Sequence, residues 1–350
     1  MATISSQRWG EHQGKEVRLF TVEGKGIRIA VSNCGGILQS LVVEDRHGAP
    51  TDIVLGYDTL TEYLADDYFF GAMIGPIADR MDSGKCHLAG TDVQLPLNAG
   101  PDSMHSGPHG FHSRVWDWEE LPDGVAFHGK FSQPDMAFPG EMTVRLAYRL
   151  SAPGTLRLEY AASSTAEMAF SFTNHSYFNL HGAKRDCRDH TLWLNSKAYA
   201  QTTCTDAPLV TGTLVDTSGS PMDFSQPARI GDALSHAEHR EITSAGGVDH
   251  FYMVDGQGFR KAATLRSLQT GISLTCSSDA DGILVYSGNG IDNRRGKQGL
   301  TYQRNWGTCL ETGQLPNAVN LPQYRDRVVY QPGEAYKSAT EFVVSHDPKG

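Results

Sequence analysis

Apolar and polar residues alternate along much of this chain, and the alternation predicts strands. Ile27, Ile29 and Val31 interleave with Arg28 and Ala30. Val144, Leu146, Tyr148 and Leu150 interleave with Arg145, Ala147 and Arg149, and Leu156, Leu158 and Tyr160 with Arg157 and Glu159. A period of two with one wet face marks antiparallel strands, because successive side chains point to opposite faces of a sheet. Ser151-Ala-Pro-Gly-Thr155 predicts a hairpin turn between the last two runs, and a second hairpin is predicted around Glu23-Gly-Lys-Gly26. Helical signals are sparse. Short helices are expected at Thr59–Asp66 and Asp232–Glu241, and neither has a long helical period. The 37 glycines and 16 prolines are spread evenly, which implies many short elements. No Pro/Ser-rich linker divides the chain and no internal repeat is visible. The expectation is one domain over residues 1–350, an all-β sandwich of many strands.

Composition narrows the partners. The chain has 30 Lys+Arg against 40 Asp+Glu, a net charge of -10. That balance argues against a nucleic-acid partner, which wants a basic surface, and gives no pull toward an anionic membrane. No apolar run approaches the ~18 residues of a transmembrane helix. Met1 to Phe20 carries Arg8, Glu11, Lys15, Glu16 and Arg18 and does not read as a secretory signal. The six cysteines are scattered without a C-x-x-C pair, as expected for reduced thiols in a cytoplasmic protein.

Four segments crowd polar residues with aromatics and glycines: Phe70–Met81, Leu97–Gly107, Phe172–Gly182 and Leu310–Asn320. Taken singly, each has an ordinary structural explanation. Together they resemble the galactose mutarotase (aldose 1-epimerase) family. Asn174-His-Ser-Tyr-Phe-Asn-Leu180 followed by Gly182 is similar to its most distinctive signature. Leu310-Glu-Thr with Pro316, Ala318 and Asn320 resembles its C-terminal glutamate motif, and Gly247-Val-Asp-His250 its Asp-His pair. Asn98, Gly100 and His105-Ser-Gly107, then Gly110-Phe111 and Arg114-Val-Trp116, follow its first histidine segment. Phe138-Pro-Gly140, Asp223-Phe224 and Tyr286-Ser-Gly-Asn289 fall in order between them.

The resemblance implies a large antiparallel sandwich, the galactose mutarotase-like supersandwich, and the interconversion of the anomers of a free aldose. Ring opening needs a base for the C1 hydroxyl proton and an acid for the departing ring oxygen, each typically worth ~10²–10⁴-fold. Carboxylate and imidazole suit those tasks because surroundings move their pKa values toward neutrality. By resemblance Glu311 is the base and His175 the acid. His105 hydrogen-bonds the sugar, and Asp249 and Arg80, with Asp79 beside them, bind hydroxyls. Tyr177, Phe178 and Trp116 are candidates for the apolar face of the ring. No metal or cofactor is expected, since only protons move. The expected partner is a small-molecule monosaccharide, and the expected assembly a monomer or weak homodimer.

The match has gaps. Gly75-Pro76 and Asp79 stand where the family usually has Gly-Arg and Asn, Leu284 where Gln is frequent, and Gly313 where Gln is common. An ionised Asp only accepts hydrogen bonds, whereas Asn also donates. The shifted periphery points to a sugar other than galactose, such as a deoxy sugar or a pentose. Competing readings are a non-catalytic sugar-binding protein, a hexose-6-phosphate 1-epimerase using the basic run Asn293–Lys297, and a glycosidase using Asp79 and Glu311. A binding-only relative has little use for both an acid and a base. Asn293–Lys297 is expected to be a solvated loop. The histidines His105, His109 and His112 lie in a Gly/Pro-rich stretch without metal-ligand spacing, and His236-Ala-Glu-His239 reads as a solvated helix face.

Overall fold

The computed structural model describes residues 2–133 and 135–347. Among them the strands form three large sheets, and the strand pairings are antiparallel. The first is N-terminal and has five strands in sequence order, Thr3–His12, Lys15–Gly24, Ile27–Ser32, Leu38–Glu44 and Pro50–Asp52. The second has nine strands, in the order Asp117–Leu121, Gly124–Phe131, Met142–Ala152, Thr155–Ser164, Tyr336–His346, Ile272–Ser278, Arg260–Arg266, Thr191–Leu194 and Ala228–Arg229. The third has six, in the order Tyr177–Phe178, Thr308–Gly313, Gly282–Tyr286, Asp249–Met253, Ala198–Thr202 and Val210–Asp216.

The alternating runs behave as the pattern predicts. Ile27, Ile29, Val31, Val144, Leu146, Tyr148, Leu156 and Leu158 are buried. The opposite face of the nine-stranded sheet is tied by ion pairs from the strand Met142–Ala152, Arg145 reaching across Gly124–Phe131 to Glu119 at 2.9 Å and Arg149 reaching the turn residue Asp123 at 3.0 Å. Both predicted hairpins form. Lys25-Gly26 has φ of 54° and 82°, the left-handed pair that matches the twist of hairpin strands. Apolar side chains from all three sheets, among them Phe20, Leu146, Leu274, Ile283, Leu310 and Phe342, meet in one continuous core. The third sheet is anchored on the second through the tilted ring pair Phe178–Phe342, 5.0 Å between centroids.

The expected helix at Thr59–Asp66 is Leu60–Leu64. Thr59 caps it, accepting from the Glu62 N–H while Glu62 accepts from the Thr59 N–H. The helix expected over Asp232–Glu241 does not form as one piece. It is two short helices, Ile230–Leu234 and Arg240–Ala245. The Ser235 hydroxyl donates back to Asp232 O at 2.7 Å, and Thr243 Oγ1 donates to Ala237 O at 2.6 Å, so side chains engage backbone carbonyls around the break. His236 and His239 therefore lie in the link between the helices rather than on a helix face. Among the described residues no helix is long and apolar enough to cross a membrane.

Candidate active site

A cleft of about 290 Å³ opens where the third sheet meets the loops around Phe69, Asp79 and His105. It is near the lower end of small-molecule sites, roughly 300–1,000 Å³. Strand alternation supplies its floor. Cys309, Glu311 and Gly313 point to one face of Thr308–Gly313, and Glu311 stands opposite Leu284 in the ladder. Asp249 begins the next strand but one, paired with Tyr286.

The Asn174–Leu180 signature divides its labour. Asn174 Nδ2 donates to Gly71 O at 2.8 Å and to the Tyr148 hydroxyl at 3.1 Å, and Ser176 Oγ donates to Asn174 Oδ1. These two side chains brace the turn. Between them the His175 backbone is held by Ala72 O and Gly71 N–H, at 2.9 Å each. Its ring is thereby aimed at the cleft, with Nε2 at 3.5 Å from Glu311 Oε1. Tyr177 stacks on the imidazole at 5.0 Å between centroids. Cys309 Sγ lies 3.7 Å from the other nitrogen, Nδ1.

His105 reaches the cleft from a loop in left-handed backbone, with φ of 56° at His105 and 65° at Ser106. Ser106 Oγ fastens that loop, donating to Ile77 O at 3.0 Å and accepting from Ile77 N–H at 2.9 Å. The Asp79 N–H donates to His105 Nδ1 at 3.0 Å, so this nitrogen is an acceptor and the ring proton sits on Nε2. Phe69 packs edge-on against His105, centroids 4.8 Å apart, and Phe69 and Asp79 are also left-handed, at φ 58° and 63°. Non-glycine residues held in this conformation gather at functional sites.

Electrostatics separate the cleft from its surroundings. Burial pushes the Glu311 carboxyl well above the usual carboxylate range, and the negative charges of Asp79 and Asp249 push it further. Burial, then Asp79, raises Asp249 to about 8, against a lowering by Arg80. Asp79 is also raised by burial, against the Arg80 N–H and charge. Burial depresses His175 to about 4 and His105 well below the usual histidine range. Burial in the cleft therefore favours neutral imidazoles and protonated carboxyls. Three of its buried oxygens, Glu311 Oε1, Thr173 Oγ1 and Gln314 Oε1, have no hydrogen-bond partner among the described residues. Buried polar atoms are ordinarily satisfied, so these can accept hydrogen bonds from water or from a polar ligand in the cleft.

Of the residues singled out in the sequence, Glu311, His175, His105, Asp249, Asp79 and Tyr177 line the cleft. Arg80 does not; its Nη1 donates to Ala99 O at 2.8 Å and pairs with Asp102 at 3.4 Å. Phe178 and Trp116 are buried in the core, the latter against Phe111 and Phe131. The basic run is not the solvated loop expected of it. Arg294 pairs with Asp67, and the buried Lys297 ammonium donates to Gln39 O and Asp52, each at 2.7 Å. Phe69, Phe251, Thr173 and Gln314 were missed. Thr173 and Gln314 stand inside two of the segments that drew attention, and Phe69 directly precedes a third.

Two groups could be weighed as metal ligands among the described residues. In the first, Cys309 and Glu311 approach different nitrogens of the His175 ring. In the second, His181, Asp189 and His190, the Leu180 N–H donates to His190 Nε2 at 3.1 Å. Nδ1 of that neutral ring must then carry the proton and has no lone pair for an ion. His181 Nε2 meets Asp189 Oδ1 at 2.7 Å, a complete ion-pair network with Arg185 at 3.1 Å.

An antiparallel sandwich whose cleft presents a buried imidazole–carboxyl pair is the architecture of an acid–base enzyme for small polar molecules. Comparison makes the class specific. The aldose 1-epimerase family matches residues 18–343, and the chain belongs to that family. A galactose mutarotase of Sus scrofa is 32% identical over 332 residues, 94% of each chain. The galactose mutarotase of Homo sapiens is 31% identical over 350 residues, 99% of each chain. The crystal structure of a galactose 1-epimerase from Lactobacillus acidophilus superposes with a TM-score of 0.85 at 23% identity, covering 99% of each chain, and shows the same fold.

Proposed function

We propose that this chain, an aldose 1-epimerase and so a carbohydrate isomerase by family, opens and recloses its sugar through Glu311 and His175. The observation that carries this reading is the buried pair at 3.5 Å with Glu311 Oε1 left without a partner at the cleft floor. Catalytic contacts in a ligand-free site are commonly longer than the ones they become.

The proton count is consistent. The pair holds one proton, which burial favours on Glu311 because it disfavours both charges. With sugar bound, the competent form has the proton on His175 and a Glu311 carboxylate. Glu311 takes the C1 hydroxyl proton as the C1–ring oxygen bond breaks, and His175 Nε2 gives its proton to that oxygen. The pair is then back to neutral imidazole and protonated carboxyl, facing an open-chain aldehyde. Rotation about C1–C2 and the reverse transfers close the ring on the other face. His105, with its proton on Nε2, donates to a sugar oxygen and does not titrate during the cycle.

A free rather than phosphorylated sugar is supported by the lining, which among the described residues contains no lysine or arginine. A preference away from galactose is supported by the place of the departures, since Asp79, Leu284 and Gly313 all line the cleft. We further propose a single domain over 1–350, cytoplasmic, monomeric or weakly dimeric, with no nucleic-acid or membrane partner. The free thiols, five of them buried, and the net charge of -10 support this. Polarimetry of fresh α-anomers of galactose, glucose, arabinose, xylose, fucose and rhamnose tests the activity. The expected result is acceleration by wild type and none by Glu311→Gln. No acceleration of any sugar overturns the reading.

A further inference from the structure

Phe69 stands where three histidine rings meet. Its centroid lies 4.8 Å from that of His105, 4.9 Å from that of His112 and 6.0 Å from that of His175, and the His105 and His175 rings are 5.3 Å apart. Phe69 is itself only partly buried, whereas His105 and His175 are buried. A phenyl ring packed there excludes water and supplies no hydrogen bond in its place.

The backbone around Phe69 is tied so that the ring stays put. Asp66 Oδ1 accepts from the Tyr68 N–H and Asp66 Oδ2 from the Phe70 N–H, each at 3.0 Å, so the amides on either side of Phe69 converge on one carboxylate. The Tyr57 hydroxyl donates to the same carboxylate at 2.7 Å. Next to it, Asp67 pairs with Arg294, whose guanidinium also lies over the Tyr68 ring at 4.6 Å. Within these ties Phe69 has φ of 58°. A bulky residue keeps that conformation only where its surroundings impose it. Glycine would suit the backbone better, so what phenylalanine adds is its ring.

We infer that Phe69 is a positioning residue for the acid–base site, a ring wedged against His105 and His175 that keeps water off both imidazoles, and that Asp66 holds this wedge in place. The kinetic consequence rests on the epimerase reading above; the shielding rests on the geometry.

The other groups around the two imidazoles are divided between them. His175 meets Glu311 at Nε2 and Cys309 at Nδ1, and its ring faces Tyr177 at 5.0 Å and Tyr286 at 6.5 Å. His105 has the Asp79 N–H at Nδ1, with His112 and Arg80 as the basic groups nearby. Among the described residues Phe69 is the aromatic side chain packed against both imidazoles. Burial is the largest cause of the depressed pKa of each, so loss of the wedge should show as a titration shift.

The test removes the ring and reads the imidazoles. Phe69→Gly takes the wedge away and fits the left-handed backbone. In its kcat/KM profile on the panel sugars, which reports groups of the free enzyme, the acid limb should move up from about 4 by about one pH unit or more, toward the ordinary histidine value near ~6.5. The sign follows from hydration: water stabilises the imidazolium, so His175 protonates at higher pH once uncovered. Phe69→Tyr keeps the ring and should keep the wild-type limb. Asp66→Asn exchanges one acceptor oxygen for a donor, releases one of the two amides, and should move the limb the same way by less. Proton NMR titration of the histidine rings in the same proteins reads the shift without turnover. Unmoved histidine titrations in Phe69→Gly overturn the inference, and so does an equal shift in Phe69→Tyr, which would trace it to general loosening. Acceleration of no sugar by wild type fails the epimerase reading, and the NMR titration still decides the shielding. Should Phe69→Gly not fold, Asp66→Asn decides: shifted titrations support the wedge and unshifted ones overturn it.

Discussion

Two buried histidine–glutamate pairs in this molecule have opposite characters. His250 Nε2 and Glu241 Oε2 are 3.2 Å apart, and Thr202 Oγ1 donates to the same carboxylate at 2.7 Å. Burial pushes Glu241 up, but hydrogen bonds from His250 and Thr202 outweigh it and hold the carboxyl below its ordinary value. His175 and Glu311 are similarly buried, at 8% and 5% side-chain exposure. Their contact is longer, one glutamate oxygen has no partner, and the carboxyl is pushed well above its ordinary range. Burial is common to both pairs. What differs is whether the polar atoms are already satisfied. The satisfied pair is a structural clamp between the helix Arg240–Ala245 and its strand, and the unsatisfied one is poised for a ligand.

Substitutions should separate the pairs sharply. The largest effect is expected from Glu311→Gln, a loss of roughly 10²–10⁴-fold in kcat by polarimetry with the circular-dichroism spectrum unchanged. A near-wild-type rate would refute the base assignment. His175→Asn should cost roughly 10²-fold, in kcat rather than KM; a change confined to KM would make His175 a binding group.

The pH-rate profile sharpens the same contrast. The active pair carries a single proton. Activity should fall below about 4, where His175 also protonates, and again above the raised pKa of Glu311, where the pair loses its last proton. A profile that rises without limit into alkali would contradict this.

Stability should respond with opposite signs. Glu241→Ala strands His250 Nε2 and Thr202 Oγ1 and should lower unfolding free energy by ~1–3 kcal/mol in urea, with kcat unchanged. Its folded pKa is depressed, so that stabilisation is present above the ordinary glutamate pKa and fades as pH falls through the folded value. Glu311 is the reverse. Its folded pKa is raised, so wild type loses stability as pH climbs from the ordinary glutamate value toward the raised one. Glu311→Gln should therefore melt increasingly above wild type as pH rises from the ordinary glutamate value toward the raised one. Parallel melting curves across that range would place the Glu311 pKa near its ordinary value.

Much of this was legible in the sequence, and the exceptions have physical reasons. Strands with one wet face announce themselves by alternation, as Val144–Leu150 and Leu156–Tyr160 do. The Asp232–Glu241 segment has no comparable pattern, and side-chain to backbone hydrogen bonds around Ser235 and Thr243 decided it. In the cleft, the resemblance brought out His105, His175, Asp249 and Glu311. It could not separate them from Asn174, Ser176 and Asn289, which stand in the same motifs but spend their hydrogen bonds on backbone and on each other. Nor could it exclude Arg80, whose partners Ala99 and Asp102 lie about 20 residues on and are met only after folding. Phe69 owes its place to a left-handed backbone, which sequence does not announce for phenylalanine.

The strand Tyr336–His346 lies between Thr155–Ser164 and Ile272–Ser278, in the interior of the nine-stranded sheet. During synthesis those two neighbours emerge first, each with a bare row of amides and carbonyls facing a gap. Domains emerge from the ribosome at only about 5–20 residues per second, so the gap stays open for several seconds. Until the strand slots in, the nascent chain carries two adhesive edges of the kind that recruit stray strands from other chains. Those edges close only once Tyr336–His346 has been made and has paired with both neighbours.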